Sequence, residues 1–354
     1  MDLSLRGALW IIAAGVICAG LYYLREPLTQ FALAVLLWFT IDILAKSIRR
    51  YAPKLPRSLA LPLAIFVVLL ISGIFVYIVA SNIGQMAGNV HDYQGRLNQI
   101  LLQAHTALGL SGPAPTVDQL LSRVDPGAIV SQIAQEIQHV ISETIFILIY
   151  LGFLFPAISM MRRKLVLIFP NPKQRDQVRH VIDSISESME GYLWVQTISS
   201  LIITALTYVT LLVIGLDNAL FWSFLIFFLN YIPTIGSIVA VLLPTAFALV
   251  QFPTLGQVGA VAIGVGAWQF IIGNFLQPRM TGDSLNLSSV IVLLALAIWG
   301  AIWGIAGAFL AAPLTVMLMI ILAQFPSTRW IAILLSQDGK PTPENKLVNK
   351  SQPA

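Results

Sequence analysis

Apolar residues run along this chain in long unbroken blocks, separated by short polar connections, and do not alternate with polar residues at every second position. A crossing helix needs about 20 apolar residues, within a range of about 17–25. Blocks of that kind occupy 8–24, 29–45, 59–80, 141–161, 194–216, 220–250, 255–275 and 289–324. Continuous apolarity points to helices and away from a barrel, whose strands alternate. The pattern predicts an all-α integral membrane protein of about eight hydrophobic segments.

Two of the blocks are too long for one ordinary crossing. Pro233-Thr-Ile-Gly236 interrupts 220–250, and Gly300, Gly304 and Gly307, with Pro313 beyond, interrupt 289–324. Proline removes a backbone donor and glycine admits conformations closed to other residues. The sixth and eighth segments are therefore expected to be helical hairpins entering from opposite sides, with Gly307 as the tip of the second and Gly300 and Gly304 as packing residues. Between the third and fourth spans, 81–140 is polar enough to be an extracytoplasmic segment. There Leu97, Ile100, Leu101 and Leu108, then Ile129, Ile133, Ile137 and Val140, recur at helical spacing around a break at 109–115. Segment 172–191 reads as another amphipathic helix along the cytoplasmic interface, and the chain after Ser336 as a polar, partly disordered tail.

Composition agrees. Of 354 residues, 57% are hydrophobic and only 10% charged, where soluble proteins carry about 25% charged residues. Mean hydropathy is +0.84. A single cysteine, Cys18, excludes an intrachain disulfide and a Cys-rich metal cluster. Net charge is +4, but the basic residues sit in membrane-flanking connections, so orientation explains them and a nucleic-acid partner is not expected. Tyr22, Tyr23, Arg25 and Glu26 follow the first block without a small-residue cleavage site, so that block is expected to remain as a span.

Charge placement orients the chain. Lys46, Arg49, Arg50, Lys54 and Arg57 crowd one connection; Arg162, Arg163, Lys164, Lys173, Arg175 and Arg179 crowd another. Both belong in the cytoplasm. If each long block returns to its own side, Arg279, Arg329, Lys340, Lys346 and Lys350 are cytoplasmic as well, and both termini lie inside. Single crossings would strand Arg279 outside.

Few side chains here could carry chemistry. Asn230, Tyr231, Thr234 and Ser237 flank the first break, where buried amides and hydroxyls either stitch the tip together or face a polar ligand. Asn274, Gln277, Pro278 and Arg279 end the seventh span, with Arg279 read as an interfacial anchor. Asn286 and Ser288 are expected to cap the next helix, and Asp42 to pair with Lys46 one turn on. Four scattered histidines, His91, His105, His139 and His180, lack the spacing of a metal site, so neither metal nor cofactor is expected. No Walker loop, H-E-x-x-H or G-x-S-x-G occurs, so no enzymatic activity is expected. From 218 to 282 there is no Asp, Glu, Lys or His, and Arg279 is the only ionisable side chain of note. Ion-coupled carriers usually keep an ionisable group at that depth, so a neutral polar solute suits this core better than a cation.

Phe228-Leu-Asn230-Tyr-Ile-Pro233-Thr-Ile-Gly236 resembles a signature of the autoinducer-2 exporter family. So do Gly273-Asn274-Phe-Leu-Gln277-Pro278-Arg279-Met280 with Gly282, Leu285, Leu287 and Ser288, and Trp299-Gly300 through Gly304, Gly307 and Ala312-Pro313-Leu314. The resemblance implies a multispan permease-like protein of the bacterial inner membrane, exporting small signalling furanones and assembling into homo-oligomers. Many members carry an acidic residue where this chain has Gln277, which weakens any ion-coupling role at that position. The expected organisation is scaffold spans in 1–80, extracytoplasmic helices in 81–140, the fourth span and cytoplasmic helix in 141–193, a transport core in 194–330 and a tail in 331–354. Asn230, Tyr231, Pro233, Thr234, Gly236, Ser237, Asn274, Gln277, Pro278, Arg279, Gly304, Gly307 and Pro313 are the expected binding or gating residues. The leading expectation is a secondary transporter working by alternating access; a sodium- or lithium-proton antiporter and a non-transporting membrane scaffold are the alternatives.

Overall fold

The apolar blocks become helices, and local sequence sets where each begins and ends. The computed structural model describes residues 3–88, 90–109, 116, 119, 126–281 and 286–340. In order they form α1 (Leu3–Tyr23), α2 (Arg25–Tyr51), α3 (Arg57–Gly88), α4 (Val90–Ala107), α5 (Pro126–Ile168) and α6 (Pro172–Ile214). Then come α7 (Ala219–Leu229), α8 (Ile235–Gln251), α9 (Leu255–Ile271), a π-helical turn (Ile272–Leu276), α10 (Gln277–Thr281), α11 (Ser289–Ala323) and α12 (Arg329–Leu335). Among the described residues, five helices are long and apolar enough to cross a membrane: Arg25–Tyr51, Leu59–Asn82, Pro172–Ile214, Leu255–Met280 and Ser289–Ala323. Large apolar side chains such as Phe66, Phe153, Val213 and Ile263 stand more than half exposed. A face that apolar is tolerated in lipid and would aggregate in water.

Helix α6 shows how local signals fix an element. The Asn171 side chain accepts a hydrogen bond from Lys173 N at 3.0 Å, and Pro172 occupies the first turn, where no donor is needed. At the far end Gly215 adopts φ 83 and returns its N–H to Leu211, a left-handed stop. Between them 43 residues run for about 64 Å, roughly twice the depth of the hydrocarbon core. The amphipathic stretch 172–191 is therefore not a separate helix lying along the interface but the first half of α6. The reason is register. The buried positions Ser184, Ser188, Met189 and Tyr192 continue at three- and four-residue steps into Gln196, Ser199, Ser200, Ile203 and Thr207. From Ser184 to Leu211 one face stays buried, and nothing breaks the helix between its halves.

Helix α5 is continuous in the same way from Pro126 to Ile168. The domain limits expected at 140, 193 and 330 all fall within helices. In the outer segment, α4 matches the helical spacing around Leu97 to Leu101, and Gly109 at φ 63 follows its end. The rest of the break, at 110–115, and the tail beyond Lys340 lie outside the described residues, as do Gly282 and Leu285.

Two polar clasps tie distant parts together. Lys46 pairs with Asp42 at 2.8 Å, as expected, and also reaches Glu190 on α6 at 2.5 Å. Asn286, at φ 42, does not cap α11; its Nδ2 donates to Asp338 Oδ1 and to Lys340 O, both at 2.6 Å. Ser288 occupies the N-cap position without a side-chain cap bond; its backbone N–H is held by Leu335 O at 3.1 Å. A short antiparallel bridge, Leu287 to Ser336, replaces the cap.

The Lys340 backbone N–H and the Asn286 amide hold the Asp338 carboxyl below the ordinary carboxylate range. A group depressed on folding contributes above its unfolded pKa and loses that contribution as pH falls through the folded value. The clasp should thus be closed at neutral pH and open under acid. Asn286→Ala should open it at neutral pH, read as faster endoproteinase Asp-N cleavage before Asp338 with little change in melting temperature.

Candidate functional site

The chain reverses direction inside both long apolar blocks. In the first, Gln251 at the end of α8 donates to Gly215 O at 2.9 Å and accepts from Asp217 N at 2.8 Å, so both ends of the run meet. Its arms, α7 and α8, are 11 and 17 residues, about 16 and 25 Å, short of the roughly 30 Å core. Tight backbone contact closes the tip. Gly236 N donates to Ile232 O, and a Cβ on Gly236 would sit 1.8 Å from Leu229 O. Thr234, after Pro233, takes φ 62 and ψ −58, and Ile235 N returns to Pro233 O at 2.6 Å. That is the rare, strained sign of γ-turn, and strain of this sort costs about 1–3 kcal/mol.

In the second block the reversal falls at Gly304 (φ 64, ψ −143), not at Gly307. Gly307 serves the close approach instead: a Cβ there would lie 1.9 Å from Trp299 O and 2.8 Å from Trp303 Cβ. Gly300 faces Ala308 across the arms. Trp299 Nε1 donates to Thr315 Oγ1 at 3.2 Å, a bond between residues that a straight helix would hold about 24 Å apart. Pro313 is buried in the returning arm. Trp303 Nε1 ties this tip to Leu21 O at 3.1 Å, at the end of α1.

Helix α9, the π-turn and α10 join the mouth of the first hairpin to the mouth of the second, so the hairpins open toward opposite ends of that rod. The first tip packs on the arms of the second. The Tyr231 ring stacks on Phe309 at 5.2 Å, and Ile232 joins Trp299, Ala308 and Ala311.

Where tip, rod and α6 meet there is a connected cluster of amides. Gln196 Nε2 donates to Asn230 O at 2.5 Å, and Gln277 Nε2 donates to Gln196 Oε1 at 2.8 Å. Gln269 Nε2 donates to Asn230 Oδ1 at 2.9 Å, and Thr197 Oγ1 shares a hydrogen bond with Tyr231 OH at 2.8 Å. Gln196 and Gln269 are buried. The π-turn adds one residue to the rod just before Gln277, and such turns frequently mark functional sites. Asn230 Nδ2 is buried with no protein partner, and leaving such a donor unmade costs about 1–3 kcal/mol. It is a free donor at the centre of a neutral cluster.

The structure thus brings Asn230, Tyr231 and Gln277 together, with Pro233 and Gly236 shaping the turn that holds them. Asn274 does not join them; its Nδ2 turns back to Phe270 O at 2.9 Å. Pro278 and Arg279 are exposed, and Ser237 Oγ donates to Thr234 O at 2.8 Å, inside the tip. Gly304, Gly307 and Pro313 shape the second hairpin. Gln196, Thr197 and Gln269 were missed from sequence. The signal was there: in the apolar block 194–216 the polar residues Gln196, Ser199, Ser200, Thr204 and Thr207 fall on three- and four-residue steps.

These features define an all-α membrane protein built around two chain reversals and a neutral polar interior. The chain belongs to the AI-2E family transporters, whose family model matches residues 11–327. It is similar to the AI-2 transport protein TqsA of Escherichia coli K12, 27% identical over 345 residues (96% of this chain and 98% of that one). A putative transport protein of Haemophilus influenzae is 28% identical over 338 residues, 93% and 96% of the two chains. Another, from Borreliella burgdorferi, is 35% identical over 178 residues, 50% and 48% of the two chains. The protein is thus a membrane transporter.

Proposed function

We propose that the chain is a secondary transporter of the bacterial inner membrane that exports a small, neutral, hydrogen-bonding solute, by kinship an autoinducer-2-like furanone. It works by alternating access as a homo-oligomer, with both termini in the cytoplasm and the hairpins entering from opposite faces. The observation that carries this reading is the amide cluster of Gln196, Asn230, Gln269 and Gln277, closed by a strained tip and free of ionisable groups. Amides offer paired donors and acceptors to a polar solute and hold no charge for an ion. Half-helix ends and unwound backbone at such breaks are the device by which transporters meet their cargo at depth. Proton relays within a membrane run through ionisable side chains, and between 218 and 278 there is no Asp, Glu, Lys, Arg or His.

Purified protein in liposomes should move a tritiated hydroxylated furanone well above the rate of empty liposomes. Asn230→Ala should cut that flux at least tenfold, about 1.4 kcal/mol or more at the barrier, with the melting temperature held within a few degrees. Wild-type flux no greater than that of empty liposomes would sink this choice of solute. A sodium gradient that moved an internal pH dye would restore the antiporter.

A further inference from the structure

The hydroxyls of α6 fall into two sets. Thr197 donates to Leu193 O at 2.6 Å, Thr210 to Leu206 O at 2.8 Å, and Ser199 to Val195 O. This is the ordinary way for a helix to satisfy Ser and Thr away from water. Ser200, Thr204 and Thr207 do not fold back, and their buried hydroxyl oxygens have no protein partner. The difference follows position: 200, 204 and 207 lie at i, i+4 and i+7, one strip of one face. Ser200 and Thr207 are fully buried.

Ile203 and Leu211, which flank Thr207 on that face of α6, pack with Trp222, Ile226 and Phe247 of the first hairpin. Helices α6 and α7 run antiparallel, pinned at one end by the Thr197–Tyr231 hydrogen bond and at the other by the Gly215 stop. The strip therefore lies alongside the arm of α7 that carries Trp222 and ends at Asn230. Trp222 Nε1, on a residue 7% exposed, and Asn230 Nδ2 are again buried polar atoms without protein partners. Five such atoms thus belong to α6 and the neighbouring arm that ends at Asn230. Buried polar groups in native proteins are nearly always paired, and each exception calls for its own reason.

We propose that the seam of Ser200, Thr204, Thr207 and Trp222 is a second station for the solute, between the amide cluster and the Gly215 end of α6, recognising neutral, oxygen-rich molecules. It rests on the transport reading above. The chemistry selects the class. The chain has no Asp, Glu, Lys, Arg or His between 191 and 216 or between 218 and 278, so nothing there compensates an ion. Indole and amide N–H groups can only donate, and hydroxyls donate and accept. Their complement is a molecule carrying ether, carbonyl and hydroxyl oxygens, and the apolar walls around them (Ile203, Ile226, Val261) favour a compact one.

Single cysteines test this cleanly, because Cys18 is the only native one. In full-length Cys18→Ala protein in liposomes, Ser200→Cys, Thr207→Cys and Val209→Cys are treated with hydroxyethyl methanethiosulfonate, with and without the hydroxylated furanone. Val209 is 58% exposed on the outward face of α6, where a thiol in lipid does not ionise and stays inert. Ser200→Cys and Thr207→Cys should react, with the furanone slowing both at least fivefold. Either of these two carries the test should the other fail to fold. Modification as slow as at Val209→Cys, or modification indifferent to furanone in protein that transports it, overturns the second station and leaves the transport reading standing. Protection by furanone without any flux would keep the seam as a furanone site and remove furanone as the exported solute.

Discussion

Gly307→Ala should leave almost no folded protein in the membrane, and Gly236→Ala should do the same by the same physics. At Gly307 the added methyl would lie 1.9 Å from Trp299 O and 2.8 Å from Trp303 Cβ; at Gly236, 1.8 Å from Leu229 O. In both cases the obstacle is backbone, which cannot rotate aside like a side chain. Relief means prising apart the two arms of a hairpin. Losses of about 4–5 kcal/mol or more are expected, a large part of the roughly 5–15 kcal/mol that holds a protein folded. Gly304→Ala should be milder. Nothing lies within 4 Å of its Cβ, so only the φ 64 conformation opposes it, at about 1–3 kcal/mol. Gly266→Ala, with Val241 Cγ1 at 3.9 Å, should melt like wild type. Fluorescence-detected size exclusion and thermal melting in detergent give the ranking. A Gly307→Ala protein that melts beside wild type would mean the second hairpin is not closed as described.

Both reversals were legible in sequence because each violates a length rule and carries its own punctuation: Pro233 and Gly236 in one block, the glycines from 300 to 307 in the other. Which glycine turns the chain and which merely lets the arms touch was not legible. A reversal needs one residue with an unusual φ, and a close approach needs one without a Cβ; both demands are met by the same letter. The continuity of α6 was hidden for a related reason. Segment 172–191 is charged on one side and 194–216 is almost uncharged, so composition splits them, although the buried face passes from Tyr192 to Gln196 in register. Asp42–Lys46 was readable because it is a single-turn pair, whereas the third partner, Glu190, arrives from another helix. The same holds at the site. Asn230 and Gln277 could be named one at a time, but Gln196 and Gln269 join them only through packing of α6 and α9 around the tip.

That network allows a prediction whose sign is not obvious. Gln196 is buried, donates to Asn230 O and accepts from Gln277 Nε2. Gln196→Leu keeps most of the volume and strips both hydrogen bonds, leaving an acceptor and a donor without their bonds to residue 196. At about 1–3 kcal/mol for the Asn230 carbonyl left unmade, the cost should reach about 1–3 kcal/mol, with furanone flux lost as the tip loses its anchor. Adding Gln277→Leu should recover part of the stability, because replacing both partners of a buried hydrogen bond is far less harmful than removing one. Flux should not recover, since Asn230 O still lacks its donor and the rod has lost its tie to α6. Melting temperatures of the two single variants and the double variant form the cycle, and proximity predicts non-additivity of about 0.5–3 kcal/mol. Additive losses would show that Gln196 and Gln277 act apart, and the amide cluster would then be a coincidence of packing, not a unit.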